Sequence, residues 1–85
     1  MPAEYLIVNR RVKKQLLKLP LPIHQKIIKG LKLIKLNPLF GIKLHGELQQ
    51  CYKLRIGDYR VVYTFDSKES VLEVLQIEHR QGVYK

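Results

Sequence analysis

The sequence predicts an α+β fold in the order strand–helix–helix–strand–strand–strand, with the helices on one face of a mostly antiparallel sheet. Two observations carry this prediction. Apolar residues recur at helical spacing in the first half of the chain and alternate with polar residues in the second half. Gly57 and Asp58 separate two of the alternating runs and form a typical two-residue hairpin turn. The 85 residues are expected to form a single domain, residues 1–85.

The first half predicts a short strand followed by a helical hairpin. Residues 4–8 are apolar and β-branched, so we expect a strand with little solvent on either face. Asn9 is a suitable N-cap for a first helix, which the prolines in residues 20–22 end. Asn37 and Pro38 end a second helix, and Gly30 within it costs about 1 kcal/mol relative to alanine. The apolar stripe of that helix consists of Ile23, Ile27, Leu31 and Ile34.

The second half predicts three strands, in residues 50–56, 59–65 and 71–77. The two-residue turn sets the register of the first two strands, with Arg55 opposite Arg60. Because cross-strand partners share a face, one face of this ribbon is cationic and the other is apolar and core-forming. The predicted core face carries Tyr52, Leu54, Ile56, Tyr59, Val61 and Tyr63. The predicted cationic face carries Lys53, Arg55 and Arg60.

The formal charge of +9 is distributed unevenly along the chain. Residues 1–45 carry ten Lys and Arg against one acid, whereas residues 46–85 carry six of each. Such an excess indicates a polyanionic partner, namely nucleic acid, an anionic membrane surface or an acidic protein. A surface that merely keeps the chain soluble is the alternative. No apolar run approaches the roughly 18 residues of a membrane span, and no signal peptide is evident, so we expect a cytoplasmic protein.

The sequence contains no pattern typical of a metal or redox site. Cys51 is the single cysteine, which excludes an intramolecular disulfide. Together with three scattered histidines it gives no zinc-ligand spacing. We therefore expect no metal, and no motif points to a small-molecule cofactor.

The opposed arginines predict an anion site. Like charges directly opposite one another destabilise a sheet by up to about 1 kcal/mol. Arg55 and Arg60 are explained if a phosphate bridges them, since guanidinium groups bind phosphate through paired hydrogen bonds. Lys53 would join them on the same face. The alternative is a surface cluster of ion pairs with one of three acids: Asp58, Glu47 or Glu73.

The end of the chain adds His79, Arg80 and Tyr84. His79 and Arg80 lie on opposite faces if the third strand continues, so at most one of them joins the cationic face. The loose turn at residues 66–70 does not decide which one. His79 is alternatively a packed or solvated histidine, and Tyr84 alternatively packs on the sheet.

Three segments together resemble toxins of the RelE/ParE superfamily. They are K-L-H-G-E-L at residues 43–48, C-Y-K-L-R-I-G-D-Y-R-V-V-Y at residues 51–63, and H-R-Q-G-V-Y-K at residues 79–85. The predicted strand and helical hairpin also suit that superfamily, so the resemblance spans nearly the whole chain. It implies a RelE-like β-α-α-β-β-β fold and the toxin of a toxin–antitoxin pair. The RelE branch cleaves mRNA in the ribosomal A site, and the ParE branch poisons DNA gyrase.

The resemblance also implies site residues. Lys53, Arg60 and Arg80 match residues that bind phosphate and stabilise the transition state, and Tyr84 matches a tyrosine that contacts the substrate. Arg55 stands where the best-known RelE pattern has a second lysine, to which proton transfer is often attributed. Because arginine stays protonated, the general base is left open.

Further candidates complete the predicted site. Lys43 is a candidate phosphate-binding residue alongside Lys53, Arg55 and Arg60. The candidates for proton transfer are Lys53, His79, Glu47 and Tyr84.

The hypothesis we favour is a metal-independent, ribosome-dependent mRNA endoribonuclease that inhibits translation. In this reaction the RNA 2′-OH attacks the adjacent phosphate. Arg80 followed by a late tyrosine favours this branch, and the expected partners are a cognate antitoxin, the ribosome and mRNA. The alternatives are a ParE-like gyrase inhibitor that cuts no RNA, and an inactive module that binds RNA or the antitoxin.

Overall fold

A computed structural model of the chain describes residues 2–44 and 51–79. The elements run in the order β1 (Tyr5–Val8), α1 (Arg10–Lys18), α2 (Leu21–Leu36), β2 (Ile42–Lys43), β3 (Cys51–Ile56), β4 (Tyr59–Asp66) and β5 (Val71–His79). This order confirms the α+β prediction. The addition is β2, whose two residues are too few for any periodicity to reveal.

The strands form one mixed sheet in the order β1-β5-β4-β3-β2. Strands β2 to β5 pair antiparallel with their neighbours, whereas β1 pairs parallel with β5. The two helices carry the chain from β1 at one edge of the sheet to β2 at the other edge, and the parallel strands β1 and β5 are joined through both helices and strands β2 to β4. Gly57 adopts φ 59° in the hairpin turn, and the β3–β4 register is the predicted one, with Arg55 opposite Arg60.

Strand β1 corrects one prediction, because only one of its faces is covered. Leu6 and Val8 pack against the core, but Tyr5 is 55% exposed and Ile7 is 48% exposed. The strand lies at an edge of the sheet, and both helices pack on the opposite face from Tyr5 and Ile7. An unbroken apolar run therefore does not require two buried faces here.

The helices attach to the sheet through an apolar core and through Asn9. Asn9 Oδ1 accepts a hydrogen bond from the Val12 N–H at 2.9 Å and so caps α1 as predicted. Asn9 Nδ2 donates to the Leu75 carbonyl of β5 at 3.0 Å, which joins the start of α1 to the sheet. The buried core consists of Val12, Leu16, Ile27, Leu31 and Ile34 from the helices and Leu54, Val61, Tyr63, Leu72, Val74 and Ile77 from the sheet, with Ala3.

Gly30 has a packing role within α2. A β-carbon at this position would collide with Ile56 Cδ1 and lie 3.4 Å from Leu54 Cδ2. The absence of a side chain lets the helix lie closely against β3. Close packing therefore offsets the cost of about 1 kcal/mol that glycine brings to a helix interior.

The outer surface of the helices is strongly basic. No acid occurs in α1 or α2, while the remaining described residues hold five Lys and Arg against six acids. None of the helices in the described part of the chain is long and apolar enough to cross a membrane. We call the following exposed residues the helix surface: Arg10, Arg11, Lys13, Lys14, Lys18, Lys26, Lys29, Lys32 and Lys35.

Candidate active site

Three cationic side chains share the face of the sheet that points away from the helices. Arg55 lies directly opposite Arg60, and Lys53 lies opposite Val62, whose side chain is on the same face as Arg60. Leu54, between Lys53 and Arg55 in the strand, is buried in the core on the other face. We call the face that carries Lys53, Arg55 and Arg60 the cationic face.

Arg60 is paired with a carboxylate on the neighbouring strand. Its Nε donates to Glu78 Oε1 at 2.9 Å, and Glu78 lies opposite Arg60 in the β4–β5 register. The side chains of Arg60 and Glu78 are 37% and 33% exposed respectively, so water reaches both groups. This acid is none of the three that the sequence suggested as ion-pair partners. Arg55 is exposed, and its Nε donates to the Gly57 carbonyl at 3.4 Å.

A β-bulge decides that Glu78 faces Arg60. Tyr63 pairs with Val74, but the preceding residue of β4, Val62, pairs with Gln76, so Leu75 has no partner on β4. Each inserted residue turns all later side chains of a strand to the other face. Without the extra residue Glu78 would lie on the helix side of the sheet. No sequence pattern marks this bulge, so sequence reasoning missed Glu78.

The same bulge places His79 on the helix side. His79 lies opposite Tyr59, and their ring centroids are 4.5 Å apart. Tyr59 packs against the core, on the opposite face from Arg60. The structure therefore does not bring His79 together with the cationic face.

The other predicted site residues are not gathered there. Lys43 lies opposite Tyr52, which packs against the core, so Lys43 is an exposed residue on the helix side. Ile42, not Lys43, is the residue opposite Lys53. Three further candidates lie outside the described residues: Glu47, Arg80 and Tyr84.

Tyr63 lies in the core, on the face of the sheet opposite the cationic face, and its hydroxyl binds the loop after α2. Its hydroxyl donates to the Pro38 carbonyl at 2.8 Å and accepts from the Gly41 N–H at 2.9 Å. Its ring stacks on Tyr52 with centroids 5.5 Å apart. Burial raises the pKa of Tyr63 above its ordinary value of 10.0, although the Gly41 hydrogen bond acts in the opposite direction. Tyr63 is therefore a neutral structural residue that holds the loop after α2 against β3 and β4.

The chemistry of the cationic face is that of anion binding beside one proton acceptor. Two guanidinium groups and an ammonium supply hydrogen-bond donors, and the Glu78 carboxylate supplies an acceptor. Within residues 2–44 and 51–79, no group of three or more His, Cys, Asp or Glu is placed to hold a metal ion. The arrangement can bind a phosphodiester and accept a proton near it.

Comparisons with known proteins lead to toxins of toxin–antitoxin systems. The sequence profile of a family described as ParE toxin of type II toxin–antitoxin system, parDE, matches residues 6–84. A Methanocaldococcus jannaschii protein assigned as the toxin RelE1 is 30% identical over 82 residues, which are 92% of this chain and 91% of that protein.

Solved structures of toxins share the fold. One is the toxin–antitoxin complex RelBE2 of Mycobacterium tuberculosis, with a TM-score of 0.82 and 26% identity over 94% of both chains. Another is the isolated RelE toxin of E. coli, with a TM-score of 0.77 and 25% identity over 88% of this chain and 82% of that one.

Proposed function

The chain belongs to the family of ParE toxins of type II toxin–antitoxin systems, within the RelE/ParE superfamily, and we propose, from its similarity to RelE toxins and from the cations on its sheet, that it is a toxin that cleaves mRNA on the ribosome. The observation that carries this proposal is the grouping of Lys53, Arg55 and Arg60 on one face of the sheet. A phosphodiester bound there neutralises the repulsion between the opposed arginines.

The reaction suits a site built mainly from cations. The RNA 2′-OH attacks the adjacent phosphorus in line with the leaving 5′-oxygen, so the nucleophile belongs to the substrate. The protein aligns the two groups and stabilises the negative charge that develops on the phosphate. Arg60 and Arg55 carry out this stabilisation, and removal of one such donor typically costs about 10²–10³ in rate. Lys53 donates a proton to the leaving oxygen.

The resemblance to RelE toxins adds two residues to this proposal. Arg80 supplies a further donor to the phosphate, and Tyr84 contacts the substrate. His79 receives no step, since it packs against Tyr59 on the other side of the sheet. Neither a metal nor a cofactor takes part in the proposed reaction.

The helix surface supplies affinity for the proposed partners. Its nine cations face solvent with no acid between them, which suits the phosphate backbone of ribosomal RNA. A cognate antitoxin is the second proposed partner, as in the Mycobacterium tuberculosis complex. A toxin that acts on translating ribosomes works in the cytoplasm.

In vitro translation followed by primer extension on the mRNA tests this function. The wild-type protein is expected to produce cuts at the ribosomal A site. Arg60→Ala is expected to reduce the rate of cutting by about 10²–10³-fold. Lys68→Ala removes an exposed cation that belongs neither to the helix surface nor to the cationic face, and it is the control, expected to cut at nearly the wild-type rate. If the mRNA stays intact at concentrations of the wild-type protein as high as those that arrest growth in cells, the proposal of mRNA cleavage is refuted.

Inhibition of DNA gyrase is the second candidate function. The family profile that matches is the one described for ParE toxins, which favours this candidate. It predicts that the purified protein blocks supercoiling by gyrase and induces a DNA-damage response while mRNA stays whole. A supercoiling assay beside the primer-extension assay therefore separates the two functions.

A further inference from the structure

Glu78 is the acid that contacts the cationic face in the described part of the chain. Its Oε1 accepts the hydrogen bond from Arg60 Nε, and one third of its side chain is exposed. A carboxylate has a second oxygen and several acceptor positions. A group bound by Arg60 therefore lies within reach of the Glu78 carboxylate.

The proposed cleavage needs a group that takes a proton from the 2′-OH. Among the described residues of the cationic face, Arg55 and Arg60 stay protonated and cannot do so, and the proposed function gives Lys53 the role of donor on the leaving-group side. His79 lies on the other face of the sheet. A carboxylate within hydrogen-bond reach of the nucleophile is an established kind of general base.

We infer that Glu78 is the general base of the cleavage, an inference that rests on the proposed function. The 2′-OH proton passes to the Glu78 carboxylate as the bond between the 2′-oxygen and phosphorus forms. The bond between phosphorus and the 5′-oxygen then breaks, and the leaving oxygen takes a proton from the Lys53 ammonium. The products are a 2′,3′-cyclic phosphate and a 5′-hydroxyl. Glu78 releases its proton to solvent and Lys53 regains one, so that protons balance.

The order of strands places these groups suitably for in-line attack. Glu78 is on β5, Arg60 on the central β4 and Lys53 on β3. Strands β3 and β5 are separated by two strand spacings, roughly 10 Å, and Lys53 pairs with Val62, two residues along β4 from Arg60. A phosphate held by Arg60 thus has the proton acceptor directly across on β5 and the proton donor on the other side, diagonally across on β3. In-line displacement requires this arrangement, because nucleophile and leaving group lie on opposite sides of phosphorus.

Cations are the charged groups nearest to Glu78 on its own face. Arg60 faces it from β4, and Arg55 lies one strand further, on β3. On β5 itself, Gln76 is the preceding residue on that face, and the neighbouring His79 points to the helix side. From α1, Gln15 donates to the Ile77 carbonyl and brings no charge.

Single-turnover cleavage of mRNA on programmed ribosomes tests the inference with Glu78→Gln. This variant keeps an oxygen that accepts from Arg60, so the arginine stays in position. Its cleavage rate is expected to fall about 10²–10⁴-fold, while ribosome binding and thermal unfolding stay as in the wild type. Glu73→Gln is the matched control, since Glu73 is on the same strand and face, opposite Thr64 and about 13 Å along the sheet.

A sulfur substitution gives a second readout. When sulfur replaces the leaving 5′-oxygen of the mRNA, departure no longer needs a proton donor. Glu78→Gln is expected to stay slow on this substrate, because the base is still missing, and full recovery would contradict the inference. Near-wild-type cleavage by Glu78→Gln, with Arg60→Ala inactive, would overturn the inference and leave the proposed function intact. A wild-type protein that makes no cuts would overturn both.

Discussion

Arg55 lies directly opposite Arg60 across the β3–β4 hairpin, so two guanidinium groups occupy one cross-strand position. Glu78 contacts Arg60 but lies on the far side of it from Arg55, two strands away. The repulsion within the arginine pair is therefore only partly compensated in the free protein. A bound phosphate would complete the compensation, which links the stability of the hairpin to its proposed ligand.

Replacement of one arginine of this pair is expected to stabilise the free protein. Arg55→Thr removes the like charge and introduces a β-branched residue that strands favour, for a gain of up to about 1 kcal/mol in the free energy of unfolding. Urea denaturation at low and high salt measures it, and the gain should shrink as salt screens the charges. Lys68→Thr, in the exposed turn before β5, is the control and should change little. A loss of stability in Arg55→Thr would contradict this account of the pair.

Removal of the Tyr63 hydroxyl is expected to destabilise the fold. Tyr63→Phe leaves the Pro38 carbonyl and the Gly41 N–H without their partner, at a cost of about 1–3 kcal/mol. Tyr5→Phe removes an exposed hydroxyl, since Tyr5 is 55% exposed, and is the matched control in urea denaturation.

Tyr63→Phe is also expected to change how the free energy of unfolding depends on pH in alkaline solution. The pKa of Tyr63 is raised in the folded protein, so the unfolded chain loses this proton first, as the pH passes 10.0. The folded state then binds more protons than the unfolded one, and the free energy of unfolding falls as the pH rises further. Tyr63→Phe should fall less steeply than the wild type above pH 10.0. Equal slopes for the two proteins would contradict the assignment.

Addition of a methyl group at Gly30 is expected to give no net gain in stability, because it crowds the end of the Ile56 side chain between α2 and β3. Alanine favours the helix by about 1 kcal/mol, but the new β-carbon collides with Ile56, and overpacking typically costs about 1–3 kcal/mol. Gly30→Ala should therefore be neutral to destabilising, and Ile56→Val in the same protein should recover stability. Lys32→Ala, on the exposed side of the same helix, is the control in thermal unfolding.

Neutralisation of the helix surface is expected to weaken RNA binding without touching the cationic face. A protein with Gln at four positions of α2 (Lys26, Lys29, Lys32 and Lys35) should bind ribosomes with a flatter dependence of log K on log salt. The slope falls by up to roughly 0.9 for each RNA phosphate that the protein no longer neutralises. The same four positions changed to Arg keep the charge and should keep the slope. If the protein with four Gln substitutions shows an unchanged slope of log K against log salt, its affinity for the ribosome comes from another surface.

The sequence by itself determined the local structure. Asn9 marked the start of α1, and Gly57 with Asp58 marked the β3–β4 turn. A two-residue turn permits one register, so the shared face of Arg55 and Arg60 followed directly from residue counting. Such features depend on neighbours in the chain, and backbone sterics and side-chain periodicity are enough to predict them.

Only the tertiary structure decided how distant segments meet. The unpaired Leu75, whose carbonyl accepts from Asn9, shifts the β4–β5 register by one residue. That shift turns Glu78 toward Arg60 and His79 toward Tyr59. The exposure of Ile7 likewise follows from the edge position of β1, not from its composition. Pairings of this kind depend on packing between segments that are far apart in the chain. The sequence of one segment alone does not determine that packing.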